Sequence, residues 1–226
     1  MSYDPPEAFR HAFDRAHEIV AAEVGSDDFG PDDYQAGLKV LLHSMDYDPR
    51  FSEQGRRIAW ARVIEVLRGR AQAFKAMREN PGFDARPIVS PVVITGVPRT
   101  GTTALHRLMA VDRRVQGLQT RFVDFPPPPP PAEKWGDYPQ FRKTAANLAA
   151  QYALTPGSEA AHYRAAEEVH ECCFLLSQSF RCNILSCGWS SATYDAWWTS
   201  QSEWPGYQYY AKCVQLIGSN EPETRW

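Results

Sequence analysis

Apolar side chains recur at intervals of three and four through the first third of the chain, which is the spacing of one helical face. Phe9, Phe13, His17 and Val20 share such a face over residues 7–24, and Leu38, Leu41, Leu42 and Met45 mark a second helix. The longest repeat covers about 53–79, where Trp60, Ile64, Leu67, Ala71 and Phe74 fall on one stripe. A stripe of this kind is a packing face. Pro81-Gly82 ends it, because Pro cannot continue a helix and Gly takes the left-handed turn beyond one. Helical patterns resume near 137–153, 165–180 and 206–219, with Trp189, Trp197, Trp198 and Trp204 between the last two.

The period changes at Val92-Val93-Ile94-Thr95, a run that reads as a strand buried on both faces. Gly96 and Gly101 then bracket a tight turn, and Ala104-Leu105-His106-Arg107-Leu108-Met109 continues with helical character. A strand, a Gly-x-x-x-x-Gly turn and a helix start aim several backbone N–H groups at one point. The helix dipole adds about half a positive charge there, which favours an anion. The Lys-Ser/Thr pair of an ordinary P-loop is replaced by Thr102 and Thr103, and the cation is Arg99, inside the turn. Such a loop suits a short, metal-free phosphate carrying one further substituent.

Gly96-Val97-Pro98-Arg99-Thr100-Gly101-Thr102-Thr103 resembles the 5′-phosphosulfate loop of sulfotransferases that use 3′-phosphoadenylyl sulfate (PAPS). The resemblance is to the branch holding tyrosylprotein sulfotransferases and actinobacterial sulfotransferase-like proteins. It implies an α/β, P-loop-containing nucleotide-binding fold. It also implies PAPS as co-substrate without a metal, and cofactor contacts from Gly96, Pro98, Arg99, Thr100, Gly101, Thr102 and Thr103. Residues 1–85 then form a helix-rich N-terminal region, and 86–226 the N-terminal part of the sulfotransferase domain. Members of the family continue into further strands and helices that grip the 3′-phosphate of the cofactor. No later strand–helix unit is legible here; Arg114–Gln119 and Cys182–Ser186 are weak strand candidates. The sheet therefore reads as incomplete, and the chain as a C-terminally truncated fragment.

In tyrosylprotein sulfotransferases a Glu pair follows the loop helix, but the corresponding positions here are Gln119 and Thr120, or Leu118 and Gln119 with a one-residue gap. None of these can take a proton. The replacements lie in the stretch His162 to Glu171, with Glu168 first, then Glu171, then His162. On a helix Glu168 and Glu171 share a face; as plain helix-start carboxylates they would equally be solvent-exposed.

Charge narrows the partners. The 226 residues carry a net charge of −3, with no basic footprint for nucleic acid. Arg62, Arg68 and Arg70, with Glu65 between them, read as a solvated face of mixed charge. The five cysteines form no Cys-x-x-Cys pair, and no apolar run approaches a membrane span, so the chain reads as cytoplasmic, its thiols reduced and mostly packed. Six consecutive prolines, Pro126 to Pro131, read as a stiff extended crossover or a docking site for a Pro-binding module. The aromatic segment from Trp189 to Tyr210 suits either a wall around an apolar, lipid-like or phenolic hydroxyl acceptor or simple core. Nothing in the pattern specifies an oligomeric state. Two rival classes are a P-loop kinase or NTPase and a non-catalytic fragment acting by binding.

Overall fold

The computed structural model describes residues 3–226 except 86, 98, 99, 113, 125, 127, 129–131, 162 and 221–225. Its helices are α1 (Phe13–Val24), α2 (Gln35–Tyr47), α3 (Glu53–Glu79), α4 (Thr102–Met109), α5 (Thr120–Asp124), α6 (Pro139–Leu154), α7 (Ser158–Ala161), α8 (Cys173–Leu176), α9 (Ala192–Thr199) and α10 (Trp204–Ile217). They fall into two compact units, each assembled from separate stretches of chain. One joins Met1–Glu79 to Cys173–Lys212; the other joins Asn80–Cys172 to Cys213–Trp226.

In the first unit α1 lies along α3, and α2 packs against α9. The apolar stripes meet as the spacing demands: Val20, Leu38, Leu41, Leu42, Trp60, Ile64 and Leu67 are all buried. Phe180 and Tyr194, from far along the chain, complete this core, and Trp189, Trp197 and Trp198 pack on it. The Tyr194 hydroxyl donates to the Phe180 carbonyl at 3.0 Å. Gly37 on α2 is required here, since a Cβ would stand 2.0 Å from the Phe180 carbonyl oxygen. The aromatic segment is thus largely core, with Trp204 left exposed.

The mixed-charge face needs one correction. Arg62 pairs with Glu65 and Arg68 with Glu23, but Arg70 is fully buried. Its guanidinium donates to the carbonyls of Phe29 (2.6 Å), Pro31 (2.9 Å) and Gln178 (3.3 Å), and pairs with Asp33 at 3.0 Å. The rings of Tyr34, Phe74 and Tyr209 stack around it. A buried cation is tolerable only when satisfied this completely.

The second unit departs further from expectation. Val92–Thr95 is not a strand: Val92 is 51% and Val93 81% exposed. The Val92 N–H donates to the Trp226 carbonyl at 2.7 Å. A ladder needs a neighbour on at least one edge, and among the described residues no extended strand supplies one. Cys182–Ser186, in the first unit, is likewise not a strand but a 3-10 turn over Asn183–Leu185. The candidate Arg114–Gln119 is not an extended strand; Gln119 forms an isolated antiparallel bridge with Val169. The expected helix over 165–180 shrinks to α8 and a 3-10 turn, because the backbone before it pairs with residues 118–121 instead. Among the cysteines, Cys182 and Cys213 are buried as expected, whereas Cys172 and Cys187 are exposed; none of the five is in a disulfide.

Candidate active site

The Gly-framed turn leads directly into α4, as its sequence requires. Gly101 caps the helix with φ 92° and ψ 12°, a left-handed conformation that costs any other residue about 1–2 kcal/mol. The Thr100 hydroxyl donates to the Val97 carbonyl at 2.7 Å, bracing the turn from within. Gly96 keeps it tight: a Cβ there would stand 3.1 Å from the Thr100 hydroxyl and 3.2 Å from the Thr102 methyl. Within α4 the Leu105 N–H returns to the Gly101 carbonyl at 3.0 Å. The N–H groups of Thr102, Thr103 and Ala104 precede that bond, so helix geometry gives them no acceptor in their own helix. They form a ready set of anion donors at the positive end of the dipole. Pro98 and Arg99 lie outside the described residues, as do His162 and most of the proline run.

The acidic segment is brought to the same helix. Glu168 Oε2 sits 2.9 Å from Arg107 Nε on α4, a charge contact rather than an aligned hydrogen bond, with both side chains 35% exposed. Arg107 also donates from Nη2 to the Tyr163 carbonyl at 2.6 Å and lies over the Tyr163 ring. The Glu168 backbone is pinned from the other side, where its carbonyl accepts the Thr120 N–H at 2.9 Å and the Thr120 hydroxyl at 3.0 Å. Thus Gln119 and Thr120, which the resemblance sets where a base should stand, are the residues across from Val169 and Glu168.

Glu168 and Glu171 do not share a helical face, because residues 163–171 are not helical; Glu171 is exposed. His106 on α4 is half-buried beside Gly117, and burial lowers its pKa. A second buried cation, besides Arg70, is missing from the expectations drawn from the sequence. Arg121 is 2% exposed, donates to Gln119 Oε1 at 2.6 Å, and lies over the rings of Phe122 and Phe141. Burial brings its guanidinium down to about 10, still protonated at neutral pH. Its sequence signal is weak: an Arg followed by Phe122 and Val123, beside the expected base position. Among the described residues no group of three or more His, Cys, Asp or Glu is arranged to hold a metal, and no helix is long and apolar enough to cross a membrane.

The known proteins that this chain resembles are sulfotransferases. The profile of the sulfotransferase family matches residues 91–216, more than half of the sequence, and the chain belongs to that family. The sulfotransferase STF1 from Mycobacterium tuberculosis H37Rv superposes with a TM-score of 0.87 at 33% identity, over 94% of this chain and 59% of that one. The sulfotransferase STF9 from Mycobacterium avium shares the fold, with a TM-score of 0.81 at 22% identity over 94% of this chain and 55% of that one. This chain thus spans under two thirds of the length of either structure. No curated protein sequence matches it significantly.

Proposed function

We propose that this chain carries the 5′-phosphosulfate-binding part of a PAPS-dependent sulfotransferase acting on a hydroxyl of an apolar small molecule. The observation that carries the reading is the loop. Gly101 in the left-handed region leaves the N–H groups of Thr102, Thr103 and Ala104 without acceptors in their helix, and Arg99 adds the cation. These residues fit a dianionic 5′-phosphate. In the transfer, the acceptor oxygen forms a bond to sulfur as the bond from sulfur to the 5′-phosphate oxygen breaks. Arg99 and the loop donors neutralise the charge that develops on the departing phosphate. The hydroxyl proton passes to Glu168, with Glu171 and then His162 as the next choices of base. On this reading residues 86–226 belong to the sulfotransferase domain, residues 1–85 form a helical region ahead of it, and five cysteines outside any disulfide suit the cytoplasm.

Calorimetric titration with 3′-phosphoadenosine 5′-phosphate tests the loop. Arg99→Ala should weaken binding by about 1.5–3 kcal/mol, and unchanged affinity overturns the reading. Sulfuryl transfer should survive EDTA. Activity lost to the chelator and restored by Mg²⁺ would point instead to a kinase-like phosphotransferase.

A further inference from the structure

Glu168 is a partly exposed carboxylate on an irregular segment, and such a group is poorly placed for proton transfer unless something fixes it. Its backbone is fixed by Thr120 at 2.9 and 3.0 Å. Its side chain is fixed by Arg107, whose guanidinium is in turn held by the Tyr163 carbonyl at 2.6 Å and by the Tyr163 ring. Arg107 stands on α4, five residues beyond Thr102, about 7–8 Å along the helix axis from the anion donors. One rigid turn-and-a-half of helix therefore sets the distance between the phosphate loop and the carboxylate.

We infer that Arg107 is a positioning residue: it ties the Glu168 carboxylate to the helix that carries the anion loop, so that base and sulfuryl donor keep one relative placement. The inference rests on the reading of Glu168 as the base. A guanidinium that both pairs with Glu168 and donates to a main-chain carbonyl has a geometry that Lys cannot fully reproduce, because Lys is a single point of charge. Arg107 touches neither acceptor nor nucleotide on this account. Its loss should therefore lower kcat and leave the KM for PAPS unchanged, which loss of a loop donor would not do.

The test compares Arg107→Gln, Arg107→Lys and Glu168→Gln in the full chain, with two readouts. The first is carbodiimide labelling of Glu168 followed by mass spectrometry, with Glu171 as the reference site; it needs no turnover. The second is sulfation of a simple phenol from PAPS, with unfolding midpoints measured alongside. Arg107→Gln should speed labelling at Glu168 relative to Glu171 and lower kcat about 10²-fold at unchanged KM for PAPS. Arg107→Lys should restore part of both. Labelling that does not change overturns the inference, whether or not the chain turns over. Faster labelling with unchanged kcat overturns it too, since the tie would then serve no positioning. Full activity in Glu168→Gln defeats the assignment of the base itself while leaving the labelling result to stand or fall alone.

Discussion

Single side chains decide what the first unit tolerates. Arg70 reads in the sequence as one more charge on a helix, yet it joins α3 to the connector at 29–33 and the turn at 178. Arg70→Leu strands the Asp33 carboxylate and three carbonyls, so urea unfolding should show about 3–5 kcal/mol lost; a loss under about 1 kcal/mol, the range of an exposed pair, would contradict this account. His17 carries a second, pH-dependent case. Its Nδ1–H donates to the Phe13 carbonyl at 2.8 Å, which leaves Nε2 to accept from the Tyr34 hydroxyl at 2.6 Å. Burial lowers the His17 pKa, with weaker opposing influences from Phe13 and Asp14, and pushes the Tyr34 phenol up to about 12. Below about 6.5, the ordinary histidine value, the unfolded chain therefore binds a proton that the folded one refuses. Stability should fall as pH drops from 7.5 to 5.5, and His17→Gln should flatten that fall. Identical pH slopes for both proteins would contradict it. Neither role was legible beforehand, because a residue letter carries its charge and period but not the carbonyls that a distant turn brings to it.

At the scale of elements, legibility followed periodicity. The bounds of α3 could be read almost to the residue, since the stripe from Trp60 to Phe74 is long and Pro81-Gly82 closes it. The Gly-framed turn could be read too, because Gly96 and Gly101 answer to purely local sterics. What failed were elements that depend on partners. Residues 165–172 have helical letters, yet the pairing of Leu118, Thr120 and Arg121 with the segment around Val169 takes their backbone bonds elsewhere. Val92–Thr95 has strand letters and, among the described residues, no ladder. The consequence is apolar exposure concentrated in one stretch: Val92, Val93, Val97, Leu105, Leu108 and Val111 are each about half exposed or more. Side chains of this size left in water promote association. The purified chain should therefore self-associate as its concentration rises, and Val93→Lys combined with Leu108→Lys should suppress this in sedimentation velocity. Equal association of both proteins would rule this stretch out as the contact.

For the molecule as a whole, the candidate site divides in the same way. The Gly-capped start of α4 was recognisable from its letters, whereas the tie between Arg107 and Glu168 joins residues 61 positions apart and needed the fold to bring them together. The same non-local wiring governs how the protein is made. Met1–Glu79 shares its core with Phe180, Leu185 and Tyr194, residues of the same unit that come about a hundred positions later in the sequence. A ribosome adding about 5–20 residues per second needs roughly 5–20 seconds to travel from Glu79 to Phe180. For that interval the part of this core that Phe180, Leu185 and Tyr194 cover stays open. Gly37 in particular faces the place where the Phe180 carbonyl will close against it, with room for nothing larger than hydrogen. Birth order therefore leaves part of a buried core open to water until residues far along the chain have been made.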